Sequence, residues 1–384
     1  MHDLVIISLE AWDEVWRRNQ HLVHRLLLAD RELRVLWVEP STDPVHAARA
    51  GQTVQRGRGL RPGPVLPGED AARILLLEPT KLLPRRLDPA QDRRWARRIR
   101  RIARSIGFDR PLLWVNDPRG AAVLEATDWP TMYDITDDWL QADRTAAELA
   151  RLQHHESVLL EGSARIVVCS PALARAKHRA GRTVLIPNAV DPAAYRSPSP
   201  RPTDFPDGST AVYAGTLHSD RFDVPLAVAT ARELSNRGTL TLVGPNLLSH
   251  SDRSRLEDAG AVLLGSKPAK EVPGYLQHAD VLVVPHLVNA FTDSLDPIKV
   301  YEYAATGRPV ISTDVAGFRD VCDDRVTIVD GRRFAEAVAG AIPARWKFPE
   351  RSDRPVPSWD DRAREMAEVL SAVARSPYSL HKGS

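Results

Sequence analysis

Lys299 and Glu302 stand three residues apart in the segment Ser294-Leu295-Asp296-Pro297-Ile298-Lys299-Val300-Tyr301-Glu302-Tyr303-Ala304-Ala305-Thr306-Gly307-Arg308-Pro309. Pro297 suits a first helical position, Ser294 or Asp296 is typed to cap, and Gly307 with Pro309 beyond ends the run, which predicts a helix of about three turns. The apolar run VLVVP (281–285) and a loop precede it, so the helix begins at the carboxyl edge of a sheet. Unsatisfied N–H groups and the positive dipole end attract a diphosphate there, and Lys299 adds a full charge. Glu302 falls on the same helix face, where its carboxylate accepts both hydroxyls of a ribose. The plain alternative is a Lys–Glu pair on the surface of an amphipathic helix.

A second group of chemistry-bearing residues is Tyr133-Asp134-Ile135-Thr136-Asp137-Asp138-Trp139, three carboxylates at another strand's end. Asp137 and Asp138 are typed to take a proton from an attacking hydroxyl; the competing reading is a helix cap. The loop after the opening strand, Ser8-Leu9-Glu10-Ala11-Trp12-Asp13-Glu14-Val15-Trp16-Arg17-Arg18-Asn19-Gln20-His21, offers Trp12 to stack on a sugar-like acceptor and Asp13 and Asn19 to hydrogen-bond it. Against this, Trp12 and Trp16 pack equally well beneath a helix. A third feature is basic. Arg93, Arg94, Arg97, Arg98, Arg100, Arg101 and Arg104, within the stretch from Arg85 to Arg104, surround Trp95, Ile99, Ile102 and Ile106, whose helical spacing forms one apolar face. Such a helix suits either an anionic membrane surface or packing on a sheet with a solvated basic rim.

The elements that must position these residues alternate apolar, β-branched runs with helix-length segments, the pattern of a parallel sheet covered on both faces. LVIISL (4–9), RVLWVEP (34–40), RILLLEP (73–79), LLWVND (112–117), TMYDITD (131–137), IVVCS (166–170) and TVLIPN (183–188) form one series. The proline-rich stretch 197–202 interrupts it. The alternation resumes with TAVYAG (210–215), LTLVGP (240–245), AVLLG (261–265), VLVVP (281–285), PVISTD (309–314) and RVTIVD (325–330). The prediction is two doubly wound α/β domains, residues 1–190 and 191–358. A terminal helix at 359–375 packs back on the first domain and a loose tail runs over 376–384. Ligands then bind beyond the carboxyl ends of the strands, in a cleft that the two domains face.

A chain of 384 residues with 43% hydrophobic content is long enough for two cores. Lys and Arg number 52 against 50 Asp and Glu, a net charge of +2, which argues against a nucleic-acid partner. Cys169 and Cys322 each sit alone in an apolar run, so neither a disulfide framework nor a cysteine metal site is expected. The opening residues read as a strand rather than a leader, and no run is long and apolar enough to span a membrane, which predicts a cytoplasmic protein. Neither a nucleophile elbow nor a Walker A loop competes for the chemistry.

With Ile186-Pro187-Asn188-Ala189-Val190-Asp191, Tyr213-Ala214-Gly215-Thr216-Leu217, Val243-Gly244-Pro245 and Pro297-x-Lys299-x-x-Glu302-Tyr303 in this order, the chain resembles GT-B glycosyltransferases. It is most similar to bacterial family-four-like (group 1) enzymes of surface-polysaccharide synthesis, and the resemblance covers nearly the whole chain. It implies an α/β fold of two Rossmann-like domains and a nucleoside-diphosphate sugar as co-substrate. The implied donor contacts are Gly215, Thr216, Arg221, Gly244, Ser266, Lys299, Tyr301 and Glu302. The acceptor is a hydroxyl of a glycan, a lipid-linked saccharide or a small molecule, with Trp12, Asp13 and Asn19 beside it and Asp137 or Asp138 as base. No metal or other cofactor is expected, because the helix start and basic side chains compensate the phosphates. Retaining members carry a glutamate eight positions before Glu302; here that position is Ser294, so stereochemistry does not transfer. A sugar-nucleotide epimerase of the same fold and a catalytically silent binding subunit are the alternatives.

Overall fold

The computed structural model describes all residues except 1–2, 14–15, 50–52, 70, 82–87, 89, 142–143, 322, 343–354 and 377–384. Arg85, Cys322 and the tail beyond Ser376 therefore lie outside the described residues. The chain divides into two compact units, Met1–Pro187 with Asp360–Ser384, and Asn188–Trp359.

The first unit is built on β1 (Asp3–Ile7), β2 (Arg34–Val38), β3 (Gly59–Pro62), β4 (Ile74–Glu78), β5 (Leu112–Val115), β6 (Thr131–Ile135), β7 (Arg165–Val168) and β8 (Thr183–Leu185). Their spatial order is β3-β4-β2-β1-β5-β6-β7-β8. All pairings are parallel except β3 with β4. The antiparallel edge strand β3, of sequence GLRP, has no apolar run to announce it; Pro62 is tolerated because an edge strand has one unpaired side. Strands β5 and β6 are buried along their whole length, as strands covered on both faces must be. In the helix Gln91–Ser105, Trp95, Ala96, Ile99 and Ala103 enter the core, while Arg93, Arg94, Arg97, Arg98, Arg101 and Arg104 are exposed. The apolar face predicted to meet either membrane or sheet therefore meets protein. Helix Trp359–Ala374 is tied to this unit from Asp360, whose carboxylate lies 3.3 Å from Arg25.

The second unit contains β9 (Thr210–Ala214), β10 (Thr239–Val243), β11 (Val262–Gly265), β12 (Val281–Val284), β13 (Val310–Ser312) and β14 (Val326–Ile328). They are all parallel, in the order β11-β10-β9-β12-β13-β14. Alternation along the strands feeds two cores. Ala211, Tyr213, Val281 and Val283 face helices Val224–Leu234 and Gly331–Ala341, while Val212, Ala214, Leu282 and Val284 face Tyr275, Val300 and Tyr303. Strand order reverses between β9 and β12, so the connections leaving them diverge and open a crevice at their carboxyl ends. In the first unit the same divergence falls between β1 and β5.

Candidate active site

In the second unit three adjoining strands end in glycines, Gly215, Gly244 and Gly265. Gly215 and Gly244 have φ of 142° and 139°, and a Cβ on Gly244 would lie 2.2 Å from the Gly215 carbonyl oxygen. Backbone bonds link them in series: Gly215 N–H donates to Val243 at 2.8 Å and Gly244 N–H to Gly265 at 2.8 Å. This stacked edge lets a ligand approach the main chain closely. Thr216 belongs to it through its carbonyl, which accepts from the Tyr213 hydroxyl. Ser266, just beyond Gly265, is exposed.

The helix that follows β12 spans Ile298–Thr306 with Pro297 as its N-cap, and Gly307 at φ 76° ends it. It is shorter than the spacing predicts, and neither proposed cap acts as one. The Ser294 hydroxyl is turned inward onto the Phe291 carbonyl. The Asp296 carboxylate accepts from the Asn188 N–H at 2.5 Å and the Tyr301 hydroxyl at 2.9 Å. Tyr301, expected as a donor contact, gives its hydroxyl proton to Asp296 at the helix start.

Lys299 reaches over the Tyr213 ring, 3.9 Å from its centre, and its Nζ lies 3.4 Å from His286 Nε2. A Cβ at Gly215 would stand 3.0 Å from the same nitrogen, so the ammonium is aimed at the glycine edge. Burial pushes its pKa down to about 7, helped by the Arg221 charge and opposed by Glu302. His286, at the end of β12, is buried among Tyr213, Lys299 and Arg221; burial first, then the two cations, hold it neutral. Nothing in the sequence announced it, because a lone histidine after an apolar strand has no motif. Arg221 is half-buried and grips Asp220 at 3.0 Å while lying over the Phe291 ring. It contributes charge to the site from within an ion pair. Glu302 is held by the Tyr195 hydroxyl at 2.6 Å; burial raises its pKa, against Tyr195 and Lys299. The residues brought together are thus Gly215, Gly244, Arg221, Lys299 and Glu302, with His286 added.

In the first unit the loop after β1 is pinned by Trp12 N–H to Glu39 at 3.0 Å and by the Trp37 indole N–H to the Glu10 carbonyl. Trp12 packs edge-on against Trp37 and Trp16, at 4.8 and 6.2 Å between ring centres. Asp13 is exposed and bonded to Arg17. Asn19, expected beside the acceptor, is carried inward by the first turn of helix Arg18–Ala29, to 3% exposure. Asp138, one of the two candidate bases, is enclosed as well. It is buried with Lys177, whose Nζ lies 2.9 Å from Asp138 and 3.0 Å from Glu156, so its charge is spent within a structural triad. Asp137 is half-buried beside Thr136, which donates to it at 3.0 Å. Its charge, with that of Asp13, reinforces the burial that raises the Glu10 pKa to about 7, against Arg17. Glu10 lay unmarked within the loop; only the placing of β1 and β6 on either side of β5 brings Asp137 near it.

Residues 208–344 match the family model described as Glycosyl transferases group 1. A relative from Bacillus subtilis (strain 168), named as a teichuronic acid biosynthesis glycosyltransferase, TuaH, is 28% identical over 79 residues, which is 20% of this chain and 20% of its own length. Among solved structures, that of trehalose-6-phosphate from E. coli bound with UDP-2-fluoro glucose superposes with a TM-score of 0.61 at 12% identity, over 97% of this chain and 95% of the other. An alpha,alpha-trehalose-phosphate synthase (UDP-forming) from Burkholderia xenovorans in complex with glucose-6-phosphate gives 0.59 at 12%, over 97% of each. The fold is GT-B, and the matched stretch holds Gly215, Arg221, Gly244, His286, Lys299 and Glu302. No helix among the described residues is long and apolar enough to cross a membrane.

Proposed function

We propose that this chain, whose second unit is a group 1 glycosyltransferase domain in a GT-B frame, moves a sugar from a nucleoside-diphosphate donor to an acceptor hydroxyl. The observation that carries the reading is Lys299, an ammonium in the first turn of a helix, aimed at a glycine edge that admits a phosphate to the backbone. The diphosphate lies against that helix start and Gly215, with Arg221 adding charge from its pair with Asp220. The ribose hydroxyls meet Glu302. Gly244 and the turn at Gly265-Ser266 flank the nucleoside. Positive charge is supplied by the protein itself, so no metal is required. As the sugar–phosphate bond breaks, the leaving diphosphate gains charge next to Lys299, which stabilises the transition state more than the ground state.

The acceptor is read onto the first unit, with Trp12 and Asp13 at the loop after β1. Its proton goes to Asp137, and Glu10, whose raised pKa suits proton exchange near neutrality, stands beside it. The exposed arginines of helix Gln91–Ser105 suit contact with an anionic membrane that presents a lipid-linked saccharide, at the cytoplasmic face. Neither the family match nor the relatives support the epimerase or binding-subunit alternatives.

The test is calorimetry of the purified protein with ADP, CDP, GDP, UDP and TDP in chelator, followed by release of nucleotide from the matching sugar donors. Binding in chelator is expected, weakened about 10–100-fold by Lys299→Met as one charged contact is lost. Binding that needs a divalent metal, or that Lys299→Met leaves intact, counts against it.

A further inference from the structure

Glu302 is not held by its own helix. Its Oε1 accepts a 2.6 Å hydrogen bond from Tyr195, on the short helix Pro192–Arg196 that follows the crossover from β8. That short helix is itself fixed: the Gln277 amide donates to the Tyr195 carbonyl at 2.9 Å and to the Ser197 carbonyl at 2.7 Å, and accepts from the Ser199 N–H at 2.8 Å. Four residues before the short helix, Asn188 bonds both the carboxylate and the carbonyl of Asp296, at 2.5 Å each, at the start of the helix that bears Glu302. The Tyr195 ring is therefore anchored at its backbone, and its hydroxyl has one proton to give. Burial and the Glu302 charge keep that hydroxyl un-ionised, so it donates. A bond from a neutral hydroxyl to a carboxylate is short and directional and fixes the plane of the acceptor.

We propose that Tyr195 is a positioning residue of the donor site: by holding Oε1 it fixes the Glu302 carboxylate so that Oε2 meets the ribose hydroxyls, and it thereby sets the preference for a ribonucleotide donor. The inference rests on the reading of Glu302 as the ribose contact. A carboxylate free to turn would satisfy itself with water and lose much of its discrimination between ribose and deoxyribose, because selectivity comes from a fixed polar group left unpaired by the wrong ligand. Phenylalanine at 195 keeps the ring's packing and removes only the bond.

The experiment compares wild type, Tyr195→Phe and Glu302→Gln in binding ADP, CDP, GDP and UDP, the 2′-deoxy and 3′-deoxy forms of each, and inorganic pyrophosphate. For the nucleotide that binds, wild type should favour the ribo form; Tyr195→Phe should cut that ratio about five- to tenfold, as one charged hydrogen bond is removed, with pyrophosphate affinity unchanged. A ratio that collapses in Glu302→Gln but persists in Tyr195→Phe overturns the inference alone. So does an equal loss of ribo, deoxy and pyrophosphate binding in Tyr195→Phe, which marks a merely structural role. If none of the four nucleotides binds, or wild type and Glu302→Gln discriminate equally, the assignment of Glu302 to ribose fails and the inference with it.

Discussion

A lysine held near neutrality makes donor binding a proton-linked event. Burial, with Arg221 behind it, sets Lys299 at about 7 in the free protein, and an arriving diphosphate favours its charged form and raises that value. Between the two values, binding takes up a proton. Affinity should be full below about pH 7 and weaken as pH rises through the free-state value, by up to tenfold per pH unit, until the bound-state value is passed. Titration calorimetry at about pH 8 in two buffers of different ionisation heat reads the uptake directly; pH-independent affinity with no uptake would sink the idea. The adjacent aspartates of the first unit separate in the opposite way. Asp138→Asn removes a charged bond from the Lys177 triad and should cost about 1.5–3 kcal/mol of stability in urea unfolding, with the turnover of folded molecules little changed. Asp137→Asn should slow transfer about 10²–10⁴-fold at unchanged nucleotide affinity. A slow Asp138→Asn beside a normal Asp137→Asn reverses the assignment.

Helix Ile298–Thr306 shows at the element scale why a motif has to be placed before it has meaning. Its start is set by Pro297 and its end by Gly307 at positive φ, both readable from residue type. What aims Lys299 is the glycine edge across from it, where β9 and β10 end one against the other. Gly244→Ala would drive a methyl into the Gly215 carbonyl, 2.2 Å away, at φ 139°. It should cost about 1–3 kcal/mol or more and abolish nucleotide binding. Gly260→Ala, also at positive φ but in open space, serves as the control; it should lose stability and keep binding. Equal binding by the two variants would show that the close approach of Gly215 and Gly244 has no part in the site.

Across the whole molecule, charge is nearly balanced, +2 over 384 residues, yet helix Gln91–Ser105 displays Arg93, Arg97, Arg101 and Arg104 along one exposed line. Binding to vesicles containing phosphatidylglycerol should be salt-sensitive. It should weaken sharply when these four become glutamine, since each basic residue near an anionic surface contributes about 1 kcal/mol. Sedimentation with vesicles at low and high salt checks it, and binding that neither salt nor the substitutions reduce removes the membrane from the reading.

The sequence by itself determined the parallel sheets, through apolar runs whose period and length do not depend on partners. It also determined the helix that carries Lys299 and Glu302, through Pro297 at its start and Gly307 at its end, whose effects are local. The edge strand β3 escaped because GLRP has no apolar run, its ladder and the Arg61–Glu39 ion pair being made with partners distant in sequence. Only the tertiary structure decided which charges are available. Asp137 and Asp138 are neighbours of one type in the chain, yet Asp138 is buried beside Lys177 while Asp137 is half-buried beside Thr136. The hydroxyl of Tyr301 turned to Asp296, and Tyr195 came to Glu302 from 107 residues away. Whether a polar group is free to act depends on what the rest of the chain places within about 3 Å of it, and hydrogen bonding at that range carries no signature in local sequence.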